Sequence, residues 1–235
     1  MLFSCEDPFE LTPTDIISET FVFEDEGLAN AFLANLYTRA SFHYYNGGSA
    51  NFNMNLINAC GGESRNFAPW QAPFGLVTNT DFNENGAGFL ELWPYGTIRE
   101  CNVYIEKLGT SAALSTEFAS VRSAEARFIR AWEYFEMAKR YGGVPLVTKA
   151  LKIDASQEEL FVPRNSEKEI YDFIGAEMDA IAAILPEIAD VDGRVTKWAA
   201  LAFKSRAMLY AASVARNGQE QLNGLLGFPG GDANG

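Results

Sequence analysis

Histidine and cysteine, two residue types that often carry catalysis or bind metals, are scarce in this sequence. Its 235 residues include one histidine, His43, and three cysteines, Cys5, Cys60 and Cys101. A Ser-His-Asp triad or a multi-histidine metal site therefore has little material, and we expect His43 to be a polar residue near a helix end. The cysteines fit neither a disulfide scaffold nor the paired spacing of a zinc site. The glycine motifs that bind phosphates or dinucleotides are also missing.

Positive charge is scarce as well. The chain has 18 Lys and Arg against 31 Asp and Glu, a net charge of −13, which argues against nucleic-acid binding because that function needs a basic surface. No basic residue precedes Arg39, so the basic start of a secretory signal is lacking. The longest uncharged stretch, residues 40–62, is interrupted by asparagines and does not predict a membrane span. We therefore expect a soluble globular chain.

Apolar residues that recur every three or four positions predict helices along most of the chain. The predicted helices cover residues 24–42, 93–108, 115–141, 166–185 and 196–216. Gly109 and Pro186 are expected to end the second and fourth of these helices. Ser166 and Glu169 have the spacing of a capping box, which predicts the start of the fourth.

The longest predicted helix carries small residues at a regular interval. Ala124, Ala131 and Ala138 recur every seven residues, a spacing that lets a neighbouring helix approach closely. Ala131-x3-Phe135 also fits a fragment of the tetratricopeptide unit. The predicted fold is therefore all-α, with tetratricopeptide-like helical-hairpin repeats and long irregular loops.

One long segment does not have the composition of a core or of an ordinary loop. Between Ala40 and Thr80 only Glu63 and Arg65 are charged, whereas aromatic and asparagine residues are frequent. Aromatic faces stack on the C–H face of a sugar ring, and side-chain amides pair with its hydroxyl groups. The segment thus indicates a site for a neutral polar ligand, with the candidates Trp70, Phe67, Asn66, Phe74, Tyr45 and Asn79. The alternative is that the rings pack a long loop onto the helices.

Two further patterns indicate metal or acid chemistry only in part. Asp81, Asn83 and Asn85 match the first half of a calcium-binding EF-hand loop, but Leu92 stands where the bidentate glutamate belongs. We favour an Asn/Gly turn over a calcium site, and expect no cofactor. Acidic residues are plentiful, and a glycosidase that uses two carboxylates stays open because no pair is marked by its spacing.

The residues that precede Cys5 resemble a bacterial lipobox. Leu2 supplies an aliphatic residue three positions before the cysteine, and Ser4 supplies a small residue just before it. The motif is only four residues long, so lipid attachment at Cys5 and an ordinary thiol stay equally open on this pattern alone.

Five blocks of residues, in a fixed order, resemble the SusD/RagB family of outer-membrane glycan-capturing lipoproteins. The blocks are Tyr95–Asn102, Ala124–Leu146, Pro163–Ile174, Leu185-Pro186 and Gly193–Tyr210. The resemblance implies a non-catalytic protein on the cell surface. It would bind an oligosaccharide or polysaccharide, or else a peptide, and deliver it to a SusC-like TonB-dependent transporter. The other hypothesis is a helical-repeat scaffold that binds protein.

The resemblance also implies a domain organisation. Cys5 becomes the expected lipid anchor to the outer membrane, residues 1–22 a tether, and residues 23–222 the N-terminal helical-repeat region of a protein about twice as long. Residues 223–235 are expected to be a Gly-rich loop or a truncated end. The charged residues of the family blocks are expected to form ion pairs on helix surfaces. They are Arg127, Arg130, Arg140, Glu125, Glu133 and Glu136.

Overall fold

The fold is a stack of helices joined by turns and extended links. The computed structural model describes residues 19–40, 92–152 and 154–222. Its helices are α1 (Glu19–Val22), α2 (Glu26–Arg39), α3 (Tyr95–Thr110), α4 (Thr116–Tyr141), α5 (Gln157–Leu160), α6 (Glu167–Ala182) and α7 (Lys197–Leu222). Within these ranges no residue is in a β-strand. The all-α prediction is confirmed.

Helix starts follow the capping signals of the sequence. The Ser115 hydroxyl accepts a hydrogen bond from the Phe118 N–H and caps α4. Ser166 and Glu169 form the predicted capping box at the start of α6. The Asp25 carboxylate accepts from the Leu28 N–H and starts α2. These side chains occupy amide donors that have no partner within their own helix.

Two predicted helix ends are wrong. Helix α3 continues through Gly109 to Thr110, whose hydroxyl donates to the carbonyl oxygens of Glu106 and Lys107. Helix α6 ends at Ala182, before Pro186, and the Leu185 N–H instead closes a turn on the Ile181 carbonyl. Glycine is tolerated in the last turn of a helix, and a proline only limits how far a helix can run.

Helix α4 lies at the centre of the stack, against α2, α3 and α6, and α7 packs on α6. Its three alanines at seven-residue spacing are all buried, as predicted. On the side towards α7, Phe203 lies among the α4 aromatic rings, with ring centroids 5.3 Å from Phe128 and 5.1 Å from Trp132. The core is therefore a set of interdigitating rings over small residues, as close packing requires.

The link after α4 depends on a very close approach of two backbone segments. A Cβ atom added at Gly143 would overlap the Asn165 carbonyl oxygen and come within 2.9 Å of the Glu167 amide nitrogen. Both obstacles are main-chain atoms, which cannot rotate away. Gly143 therefore fixes how the end of α4 meets the start of α6.

A matched pair of substitutions tests this constraint. We expect Gly143→Ala to lower the free energy of unfolding by about 3 kcal/mol, because overpacking against backbone forces the chain to shift. Gly109→Ala has open space around the added methyl and should instead raise it by up to about 1 kcal/mol, because alanine is the better helix former. Chemical denaturation of both variants measures these changes; equal effects would contradict the close approach.

Candidate functional site

The ligand candidates chosen from the sequence lie outside the described residues. So do the calcium candidates, the lipidation candidate and the single histidine. They are Trp70, Phe67, Asn66, Phe74, Tyr45 and Asn79; Asp81, Asn83 and Asn85; Cys5; and His43. All of these assignments remain predictions.

The structure describes the residues on either side of positions 41–91, a range that contains the neutral segment. On one side, Arg39 at the end of α2 pairs with Glu100 of α3. On the other side, the Leu92 N–H donates to the Tyr141 hydroxyl at the end of α4, at 2.9 Å. The end of α2, the start of α3 and the end of α4 therefore meet at one corner of the stack, and residues 41–91 connect the first two along the chain.

An aromatic cluster marks this corner. The Trp93 ring centroid lies 5.0 Å from that of Tyr95 and 5.3 Å from that of Tyr141. The Tyr95 hydroxyl donates to the Pro145 carbonyl oxygen at 2.6 Å, and burial raises the pKa of this tyrosine. The Tyr95 hydroxyl therefore stays protonated at neutral pH and remains a donor. We call Trp93, Tyr95 and Tyr141 the corner cluster.

An ion network between α4 and α6 holds the extended link that follows α4 in place. Glu177 of α6 accepts from Arg127 at 2.7 and 3.0 Å and from Arg130 at 2.9 Å. Arg130 then donates to the Asn102 side-chain oxygen at 2.7 Å and to the Thr148 carbonyl at 3.1 Å. Burial alone would raise the pKa of Glu177, but the hydrogen bonds and charges of the two arginines lower it. The carboxylate is therefore committed to structure.

The extended link that follows α4 is bound by side chains instead of a partner strand. Tyr134 donates its hydroxyl to the Val147 carbonyl at 3.0 Å and accepts from the Val147 N–H at 2.7 Å. Asn102 donates to the carbonyl oxygens of Val147 and Lys149, both at 3.1 Å. Burial raises the pKa of Tyr134 to about 12. We call residues 144–149 the strap.

A second ion network joins α2, α4 and the link before α7. Glu125 pairs with Arg122 of its own helix and with Arg194, 3.3 Å away. The Tyr37 hydroxyl donates to Glu125 at 2.6 Å and accepts from the Val195 N–H at 3.0 Å. Beside this network, Trp132 and Phe128 line an open groove of about 760 Å³.

The expectation of ion pairs on helix surfaces is wrong. Glu125, Glu133, Glu136 and Arg130 are all buried, and Arg127 pairs with α6 and not with an acid of its own helix. The predicted pair of Glu136 with Arg140 exists, at 2.8 Å, but its carboxylate is buried. Helix α4 has neighbours on several sides, so its charged stripe faces other helices. Helical spacing cannot distinguish such a stripe from a solvated one.

The described residues show structural chemistry. Burial raises the pKa of the Cys101 thiol, so this cysteine is a protonated core residue and not a nucleophile. No group of three or more His, Cys, Asp or Glu side chains in the described ranges could hold a metal ion. None of the described helices is long and apolar enough to cross a bilayer. Trp93 of the corner cluster is one of the exposed aromatic rings of this part.

The fold and its buried networks define a class: a tetratricopeptide-like helical stack whose links are pinned by ion pairs. A family model described as "SusD-like_3: Starch-binding associating with outer membrane" matches residues 15–209. The chain belongs to this SusD-like family, as the sequence blocks predicted.

Individual relatives agree with this membership. A SusD-like protein from Bacteroides ovatus is 31% identical over 95% of this chain and 39% of its own length. The crystal structure of a SusD-like protein from Bacteroides fragilis is 30% identical, with a TM-score of 0.61, over 86% of this chain and 38% of that one. A second structure from that species, a SusD-like carbohydrate-binding protein, is 26% identical with a TM-score of 0.58, over 85% and 40%. The chain therefore spans about two fifths of the relatives it matches.

The Glu177 network predicts how stability depends on pH. A carboxylate whose pKa is lowered on folding stabilises the fold above its ordinary pKa of about 4.3, and this contribution is lost as the pH falls through the folded value. We expect Glu177→Gln to lower the free energy of unfolding by about 3 kcal/mol at pH 7. The difference from the parent chain should shrink below about pH 4.

Urea denaturation between pH 3 and pH 7 measures both curves. Glu187→Gln is the control, because this exposed residue pairs with Lys197 at the surface and such pairs contribute at most about 1 kcal/mol. A difference at Glu177 that stays constant across this pH range would contradict the prediction.

Proposed function

We propose that this chain is part of a non-catalytic glycan-binding lipoprotein of the bacterial outer membrane. It captures an oligosaccharide or polysaccharide at the cell surface and delivers it to a SusC-like TonB-dependent transporter. The observation that carries the proposal is the match of residues 15–209 to the SusD-like family model, together with the neutral, aromatic and asparagine-rich composition of residues 40–80. A relative from Bacteroides fragilis is named a carbohydrate-binding protein, in line with this role.

The distribution of charge supports a neutral ligand. Inside the stack, Glu177, Glu125 and Glu136 are each paired with arginine, so these three carboxylates are used within the fold. The neutral segment has only two charged residues between Ala40 and Thr80. A neutral sugar brings no charge that must be removed from water, and side-chain amide groups can replace the water at its hydroxyl groups.

The same pairing supports a binding role in preference to catalysis. A glycosidase needs two carboxylates that face a cleft, one of them protonated near neutral pH. Glu177 has two arginine partners that keep it ionised, and Glu125 bonds to Arg194 and Tyr37 within the helical stack. Neither is arranged as a general acid, and the proposed activity is capture without cleavage.

The glycan role is tested at Trp70, the candidate that Pro69 and Pro73 flank in the sequence. We expect the full-length chain to bind a neutral oligosaccharide in a glycan-array screen, and Trp70→Ala to weaken that binding about tenfold, because one stacking surface is lost. Isothermal titration calorimetry with the glycan selected on the array gives the dissociation constants. Unchanged affinity would remove Trp70 from the site, and turnover of the glycan by pure protein would favour a glycosidase.

The outer-membrane role is tested by partner capture. We expect the lipidated protein, tagged at its C-terminus in its native host, to co-purify with a TonB-dependent transporter, and Cys5→Ala to release it from the membrane fraction. The physical reason is that the thiol of Cys5 is the proposed acylation point. Quantitative mass spectrometry of the captured proteins measures both effects; an unchanged membrane fraction for Cys5→Ala would exclude that anchor.

A protein-binding scaffold is the second candidate. The groove beside Trp132 is bordered by Val191, whose apolar side chain is exposed. Exposed apolar side chains next to a groove are typical of surfaces that bind protein or peptide. Capture of a transporter in the absence of any glycan or peptide ligand would favour this candidate.

A further inference from the structure

We propose that the Trp93 ring is a preformed stacking platform for one neutral pyranose unit, held in position by Tyr95 and Tyr141. The proposal rests on the proposed glycan-binding function and extends it to a residue that lies outside the neutral segment. Trp93 is 58% exposed, an unusual state for the side chain with the largest apolar surface. Its exposure therefore needs an explanation.

Two ring contacts and the backbone on either side restrict the position of the exposed Trp93 ring. Its plane meets the Tyr141 ring at 77°, an edge-to-face contact, and the Tyr95 ring at 54°. The Leu92 N–H, one residue earlier, donates to the Tyr141 hydroxyl, and Pro94 follows directly and restricts the backbone. The exposed part of the ring is held in position before any ligand arrives.

The two tyrosines are themselves anchored to the fold. Tyr95 is bound through its hydroxyl to the Pro145 carbonyl in the strap. Tyr141 is the last residue of α4, and its carbonyl accepts from Arg164. A platform built this way loses little conformational entropy when a ligand stacks on it, which improves affinity without additional contacts.

A hydrogen-bond donor lies at the same corner. The Arg164 guanidinium donates to the carbonyl oxygens of Tyr141 and Gly143, and the residue as a whole is exposed. A guanidinium carries further N–H groups beyond these two, and a ligand hydroxyl group can accept from such a group. An aromatic face with nearby donors is the combination that a pyranose requires, because its C–H face is apolar and its edge is polar.

The other described tryptophans have different surroundings. Trp132 is partly buried against Phe203, with ring centroids 5.1 Å apart. Trp198 is 54% exposed, nearly as much as Trp93, but it lies on α7 with the Lys197 ammonium 5.1 Å from its ring centroid. Trp198 therefore serves as a control of the same residue type and exposure, away from the corner cluster.

The test uses the full-length protein and defined neutral hexasaccharides. Cellohexaose, laminarihexaose and maltohexaose are titrated by calorimetry against the parent chain, Trp93→Ala, Trp93→Phe and Trp198→Ala. We expect Trp93→Ala to weaken binding of the recognised hexasaccharide about tenfold. Trp93→Phe should retain most of the affinity because it keeps an aromatic face, and Trp198→Ala should retain all of it.

Tyr141→Phe tests the positioning of the ring separately from the ring itself. This variant keeps the aromatic contact but removes the hydroxyl that accepts from Leu92, so we expect a loss of about threefold, smaller than for Trp93→Ala. Thermal unfolding of each variant accompanies the titrations. A loss of affinity at Trp93→Ala with an unchanged melting temperature supports the platform.

Three results would overturn the proposal. Parent-like affinity in Trp93→Ala would exclude the platform while leaving the glycan-binding function intact. An equal loss in Trp198→Ala would show that the effect is not specific to the corner cluster. A parent chain that binds none of the hexasaccharides and nothing on the glycan array would overturn the proposed function, and the platform with it.

Discussion

The carboxylate of Glu177 is the contact on which the rest of the structure depends. It receives three hydrogen bonds from Arg127 and Arg130, and it thereby ties α6 to α4. Removing most of a carboxylate from water costs free energy unless hydrogen bonds and opposite charges replace the water. The pairing of Glu177 with the two arginines therefore requires good geometry. Arg130 extends the connection to Asn102 of α3 and to the strap. Four parts of the chain are thus positioned by one charge.

That constraint reaches the corner cluster through the strap. Arg130 and Asn102 hold the carbonyl oxygens of residues 147–149, and Tyr95 is bonded to the strap at Pro145. The ring of Trp93 then packs against Tyr95. The ion network and the exposed Trp93 ring are therefore connected through hydrogen bonds to the strap and one aromatic contact.

Much of the fold was predictable, because it depends on short-range patterns. Ser115 and Ser166 cap the helices that their positions predict, since a cap needs only a side-chain oxygen and a free amide within a few residues. The buried alanines of α4 followed from their seven-residue interval. The helix ends predicted at Gly109 and Pro186 were wrong, because hydrogen bonds of neighbouring residues decide where each helix stops. These are the bonds of the Thr110 hydroxyl and of the Leu185 N–H. The corner cluster was missed, although Trp93 directly precedes Pro94 at the predicted start of a helix.

The sequence by itself determined the helical class, the caps, the family and the uneven distribution of charge, because each is a property of residue type and spacing along the chain. Only the tertiary structure decided which charges are buried and which partners they have. Arg127 shares α4 with Glu125 and Glu133, yet its ion-pair partner is Glu177, 50 positions away. Partners at that separation are set by how helices pack. The exposure of Trp93 and its two supporting tyrosines were decided in the same way, because they come from the ends of different helices.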